Sequence, residues 1–286
     1  MTFRRFAAVF TAVAGFVCLL TPVQAAQGIP EPWQMGFQDA ATPVMADIVR
    51  FHDMLTWLIT AIALFVTLLM VYCFIRFNAR ANPNPSRTTH NSLLEVLWTA
   101  VPIVILVVIA VPSFKLLYFQ DKAANAEMTI KAIGNQWYWT YEYPDHGDFS
   151  FDAIMLEEDE LEEGQPRLLA TDETVVVPVD TDVRLLVTAS DVIHAWAIPA
   201  FGVKMDGVPG RINETWFRVT EPGMYYGQCS ELCGARHGYM PIQVRAVSKE
   251  EFAAWVETAK EEYARADAAV EVAEATLPAT APSPAR

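Results

Sequence analysis

Residues 227–240 read "GQCSELCGARHGYM", and Cys229, Cys233, His237 and Met240 fall within twelve positions of one another. Two thiols, an imidazole and a thioether so close together invite a metal, but which metal depends on counting donors. A disulfide is open to two cysteines in an exported domain, yet it gives the nearby His and Met no purpose. Zinc takes two thiolates and one or two imidazoles, whereas a thioether is a soft ligand that suits copper. A single blue-type copper uses one Cys, two His and a Met, so this loop holds one thiolate too many. Two copper ions sharing both sulfurs use the whole set, each with one imidazole and a weak axial ligand. His237 supplies one imidazole, and Met240 and the backbone carbonyl of Glu231 can serve as axial ligands. The carboxylate of Glu231 is then free for a second task. A site whose positions are all filled by protein binds no substrate; it suits electron transfer with little rearrangement between oxidation states.

The second imidazole must come from elsewhere. The chain has five histidines. His52 and His90 lie beside or between long apolar runs, and His146 follows Pro144 in a turn. His194, in "SDVIHAWAIP", follows a turn and opens a strand, which is where a cupredoxin-like sandwich places a ligand beside its ligand loop. The aromatic block "QWYWTYEYPD" (136–145) is the other chemically suggestive stretch. Strict alternation puts Trp137, Trp139, Tyr141 and Tyr143 on one face of a strand. Most of these rings are expected to pack, and an exposed indole among them would suit contact with a redox partner.

These residues need a scaffold, and the sequence describes one. The start, "MTFRRFAAVFTAVAGFVCLLTPVQAAQG", has two arginines, an apolar run and small residues at 23 and 25, the pattern of a secretory signal peptide cleaved after Ala25. Its removal takes Cys18 away, and Cys73 sits in an apolar run, which leaves Cys229 and Cys233 as the only pair in the exported part. The runs "MLTWLITAIALFVTLLMVYCFIRF" (54–77) and "LLEVLWTAVPIVILVVIAVPSFKLLYF" (93–119) are each long enough to cross a bilayer as a helix. Arg76, Arg80 and Arg87 lie between them with no acidic residue, which places the connection on the cytoplasmic side. Pro102 and Pro112 fall in the second run, where neighbouring protein can accommodate a distortion. Glu95, two residues into that run, either reaches the interface or meets water, a partner or a proton path.

Beyond residue 120 the chain reads as short strands separated by Asp, Gly, Pro and Ser turns, then a helix with Trp255 on its apolar side and an Ala/Pro/Glu tail expected to be disordered. The predicted architecture is a two-helix transmembrane hairpin plus an all-β cupredoxin-like Greek-key domain. Its expected divisions are a cleaved signal peptide (1–25), an N-terminal segment with two transmembrane helices at about 52–77 and 93–119 (26–120), an exported copper domain (121–250), and a C-terminal helix with flexible tail (251–286). From residue 120 onward there are 13 basic and 29 acidic residues. That balance excludes nucleic acid as a partner and favours a basic protein.

With these motifs in hand, the chain resembles subunit II of bacterial aa3-type cytochrome c oxidases, members of the heme-copper oxidase family. The resemblance rests on the signal peptide, the hairpin, "TTHNSLLEVLWTAVP", "QWYWTYEYPD", "DVIHAWAIPAFGVKMDGVPGRINE" and "GQCSELCGARHGYMP". It implies an electron-transfer subunit that takes electrons from cytochrome c at a binuclear CuA centre. From there they pass to heme in subunit I, where O2 reduction to water is coupled to proton pumping. It implies CuA ligands His194, Cys229, Glu231 by its carbonyl, Cys233, His237 and Met240, and Mg2+ bound by the Glu231 carboxylate together with subunit I. Trp137 is implied as the point where electrons enter, and Glu95 as the mouth of a proton path. Acidic residues, with Asp145, Asp148 and the 157–163 cluster as candidates, are implied to meet cytochrome c. Subunit III is a further expected partner. The expected location is the bacterial inner membrane, with both termini and the copper domain periplasmic. The family often has "GHQWYW" where this chain has "GNQWYW", so Asn135 stands in a histidine position. A membrane-tethered copper-delivery protein and a structural zinc domain are the alternative readings.

Overall fold

The computed structural model of the chain describes residues 28–121 and 125–276; the expected signal peptide lies outside them. Thr42 begins the first helix. Its hydroxyl accepts the N–H of Met45 at 3.0 Å, and Pro43 occupies the first helical position, where its missing N–H costs nothing. Helix α1 runs Pro43–Arg76. It therefore starts well ahead of the expected start near residue 52. Its first turns hold Asp47 and Arg50 and are not part of the apolar run; Val44 and Met45 are buried there. Helix α2 spans Ser92–Asp121 without interruption at Pro102 or Pro112. Asn91 accepts the N–H of Leu94 and caps it, and Glu95 lies exposed in its first turn. From Trp57 to Phe119 the large apolar side chains on both helices are mostly exposed, as a lipid-facing surface requires. Both helices are long and apolar enough to span a membrane.

Ten strands follow: β1 Met128–Asn135, β2 Tyr138–Tyr143, β3 Phe149–Ala153, β4 Val175–Pro178, β5 Val183–Ala189, β6 His194–Ile198, β7 Val203–Gly207, β8 Asn213–Phe217, β9 Gly223–Gln228 and β10 Pro241–Val247. They form a five-stranded sheet in the order β3-β2-β1-β5-β8, a three-stranded sheet β4-β10-β9 and the pair β6-β7. β1 and β5 each bury alternate residues, one face inward and one outward. β4 is buried along its whole length and β10 along nearly all of it. The core between the sheets is apolar and aromatic, with Trp139, Tyr141, Tyr143, Trp196, Phe201, Phe217 and Tyr225 among its members. Tyr143 accepts from the N–H of Val176 and donates to its carbonyl, which satisfies its buried hydroxyl. Strand β3 was not signalled by the sequence pattern.

Helix α3, Lys249–Thr276, lays Phe252, Val256, Ala259 and Tyr263 on the sheet at helical spacing. Tyr263 stacks on Phe151 at 4.9 Å and on Phe149 at 5.6 Å. Burying each such ring stabilises the fold by about 1.5–3 kcal/mol. The helix continues to Thr276, into a stretch expected to be disordered. Alanine and glutamate are strong helix formers, and that local preference favours helix in this stretch.

Domain and hairpin are joined by more than a linker. Ala41 donates to the carbonyl of Ala200 at 2.9 Å and accepts from the N–H of Thr220 at 3.0 Å, while the Thr42 hydroxyl donates to Phe201 at 2.7 Å. Gly202 has φ +68°, and a β-carbon there would lie 2.7 Å from Ile48, so only glycine lets the first helix approach this turn. At the end of α2, the Trp216 indole donates to the carbonyl of Phe119 at 2.9 Å.

Candidate metal centre

The cysteine loop leaves β9 and returns in β10. Register fixes its base, because Pro241 pairs with Gln228, and the Cys229 N–H donates to the Met240 carbonyl at 3.0 Å. A third strand braces it: the Ser230 N–H donates to the carbonyl of Ala195, next to His194 on β6. Cys229, Cys233, Met240 and His194 are buried, His237 is half-buried and Glu231 is exposed.

The donor atoms form a row. His194 Nδ1 lies 3.8 Å from Cys229 Sγ, the two sulfurs are 3.9 Å apart, and His237 Nδ1 is 3.6 Å from Cys233 Sγ. The cysteines are free thiols, so a disulfide is not what joins them. Nδ1 of His194 faces the sulfurs because Nε2 is engaged by Asp191 Oδ1 at 2.9 Å. The carbonyl of Glu231 is 3.4 Å from Cys229 Sγ. His194, Cys229 and Cys233 have ligand atoms that all lie within 4.8 Å of one another. Two adjacent thiols flanked by two imidazoles are a donor set that fits a pair of soft metal ions sharing sulfur.

The electrostatics suit this use. Burial alone would raise the Cys229 thiol, but hydrogen bonds to His194, to the Glu231 and Ala195 backbone and to His237 bring it down to about 6. Cys233 goes the other way, pushed up to about 12 by burial and by the charge of Cys229 beside it. Burial works to lower His194, and its bonds to Cys229 and Asp191 outweigh this and raise it.

Asp191 is the functional residue that sequence reasoning missed. Burial acts to raise its carboxyl, yet His194 and the backbone N–H groups of Val192 and Gln136 hold it below the usual range. The one signal in the sequence is an acid three residues before the candidate ligand His194.

Trp137 is not a strand residue. It sits in the turn between β1 and β2, ahead of Tyr138, so the expected four-residue alternation reduces to the buried Trp139, Tyr141 and Tyr143. Half-buried Trp137 and exposed Gln136 reach the cysteine loop: the indole Nε1 donates to the Cys233 carbonyl at 3.2 Å and Gln136 Nε2 to the same oxygen at 2.8 Å. Trp137 also lines a cleft of about 390 Å³ with Tyr138, Glu157, Glu160, Arg236 and Tyr239. Glu157 in the acidic stretch pairs with Arg236 of the cysteine loop at 3.0 Å, and Glu158 pairs with Arg167. Asp145 accepts from the N–H of Thr129 at 2.7 Å. Asn135 keeps a full set of partners, donating to Ile133 and Thr140 and accepting from Ser190 at 2.5 Å. Glu95 lies on α2, away from this cluster in the chain, at the far end of that helix from Phe119.

A cupredoxin-like β domain with paired thiols and flanking imidazoles, joined to two membrane-length helices, defines a membrane-bound copper-domain protein. Residues 128–247 match the family described as cytochrome C oxidase subunit II, periplasmic domain, and residues 30–116 match the transmembrane domain of the same subunit. The chain belongs to the cytochrome c oxidase subunit II family. It is 55% identical over 227 residues to a Rickettsia bellii protein named "Probable cytochrome c oxidase subunit 2", covering 79% of this chain and 84% of that one. It is 49% identical over 232 residues to cytochrome c oxidase subunit 2 of Oenothera berteroana, covering 79% and 90%. A crystal structure of the periplasmic domain of subunit II of the Bradyrhizobium japonicum oxidase is 56% identical, with a TM-score of 0.47, over 50% of this chain and 99% of that one.

Proposed function

We propose that the chain is the electron-receiving subunit of a cytochrome c oxidase, taking electrons from cytochrome c and passing them to heme in subunit I. The observation that carries this is the unbroken N–S–S–N row formed by His194, Cys229, Cys233 and His237. When bound, a binuclear copper centre supplies one-electron transfer at this row. Cys229 and Cys233 would hold both ions and His194 and His237 one each, with Met240 and the Glu231 carbonyl completing the set. The chain's own residues fix the donors before metal arrives: Met240 pins Cys229 through its carbonyl, Ala195 pins Ser230, and Asp191 orients His194. Burial of the thiols keeps water and competing ligands out.

Trp137 is the point where electrons enter, since its indole is both partly exposed and bonded to a ligand residue's carbonyl. The Glu231 carboxylate faces solvent and is free to bind Mg2+ with groups from subunit I. Glu95 opens the proton path into subunit I, and subunit III joins the same complex. Arginines between the helices put that connection in the cytoplasm and the copper domain in the periplasm of the bacterial inner membrane.

Electron paramagnetic resonance of the copper-loaded full chain tests the reading. One unpaired electron shared by two coppers supports it, and Cys229→Ser and Cys233→Ser must each abolish that pattern. A single-copper spectrum, or stoichiometric zinc in place of copper, sinks it.

A further inference from the structure

Asp191 touches two things at once. Oδ1 accepts from His194 Nε2 at 2.9 Å, and Oδ2 accepts from the backbone N–H of Gln136 at 2.8 Å. Gln136 precedes Trp137, and both of their side chains donate to the Cys233 carbonyl. The turn is thus held on two sides, by the residue that orients one imidazole and by the backbone of one cysteine. Ser190, next to Asp191, adds a parallel tie. Its N–H donates to Gly134 at 3.1 Å and its hydroxyl to Asn135 at 2.5 Å.

We propose that Asp191 is a positioning residue that couples the orientation of the ligand imidazole His194 to the placement of the Gln136–Trp137 turn. One carboxylate cannot satisfy both donors unless ring and turn keep a set distance. Fixing His194 by a metal therefore fixes the turn, although the turn contributes no ligand. The coupling is reciprocal, as any linkage between two sites must be. The Val192 N–H, which donates to Oδ1 at 2.6 Å, holds the carboxylate in its own loop and makes it a rigid joint. This inference rests on the copper reading above for its metal, but not for the joint itself.

Hydrogen–deuterium exchange of the segment 134–138 in the full chain, with and without copper, tests it together with the copper hyperfine splitting. In the wild-type chain, copper is expected to slow exchange of this segment. Asp191→Ala is expected to speed exchange roughly fivefold in the metal-free chain, the factor one lost hydrogen bond allows. It is also expected to erase the effect of copper, shift the hyperfine splitting and weaken copper binding about tenfold. Asp191→Asn keeps the shape but only one of the two acceptor oxygens, so it must fall between wild type and Ala in exchange and in splitting. Metal-free exchange in 134–138 that is the same in wild type and Ala overturns the joint. Altered exchange with unaltered splitting overturns its action on His194. A wild-type chain that takes up no copper pair overturns the site reading, while the metal-free comparison still decides the joint.

Discussion

The indole nitrogen of Trp137 donates to the main-chain carbonyl of Cys233 across 3.2 Å, so a half-buried aromatic ring is one hydrogen bond away from a cysteine of the candidate metal cluster. Replacing Trp137 by Phe keeps a ring and removes this donor. The expected result is electron transfer from reduced cytochrome c slowed by at least about tenfold, because small misplacements of a reacting group carry large rate costs. The copper spectrum should stay as in wild type. Stopped-flow mixing with cytochrome c measures the first, and an unchanged rate would remove Trp137 from the route.

The loop separates the two groups of Glu231 to which the proposal gives different roles. Only the carbonyl of Glu231 approaches Cys229, while its carboxylate is exposed. Glu231→Gln in the assembled oxidase is expected to leave the copper signal intact and to abolish binding of Mn2+ used as a spectroscopic substitute for Mg2+. Loss of both signals together would show that the side chain also supports the copper loop.

Proton release gives a pH test. Metal ligands must shed their protons. In the metal-free chain the Cys229 thiol is lowered to about 6 and the Cys233 thiol raised to about 12. Between these values copper must displace the Cys233 proton, so affinity should rise about tenfold per pH unit from that thiol alone. Below about 6 the Cys229 proton must leave as well, and the dependence should steepen as pH falls. Competitive titration against a copper chelator at a series of pH values measures the slope; a flat profile across neutral pH contradicts it.

Gly134 is the tightest spot around the ligand histidine. A β-carbon built there would lie 2.7 Å from the His194 ring, which also lies edge-on to Trp139 at a ring distance of 6.0 Å. Gly134→Ala should push the imidazole away, destabilise the domain by about 1–3 kcal/mol and disturb the copper spectrum. Chemical denaturation and electron paramagnetic resonance read the two effects.

The parts of the site that were legible in sequence are those where residue type alone is diagnostic. Two cysteines, a histidine and a methionine in one loop constrain the metal by donor count, and His194 was the one histidine that opened a strand. The hairpin was legible because lipid demands an apolar run. Its true start was not, since Asp47, Arg50, His52 and Asp53 break the run, while burial of Val44 and Met45 against the domain is a tertiary fact. Trp137 reads as a strand residue in sequence because alternation cannot distinguish the last residue of a turn from the first of a strand. Asp191 escaped because its role depends on bringing the 134–137 turn, 55 residues earlier, against the loop before β6. Helix α3 runs on to Thr276, beyond the end that its apolar pattern suggests, because alanine and glutamate favour helix without needing a buried face.

The main-chain bonds of Ala41, the Thr42 hydroxyl and the Trp216–Phe119 bond at the other helix together form a mount on two helix ends. Any swing of the domain away from the hairpin has to break these bonds at the start of α1 and the end of α2. In the electron-transfer reading proposed above, the distance from the thiol pair to an acceptor in the membrane is thus tied to helix ends and not left to a linker alone.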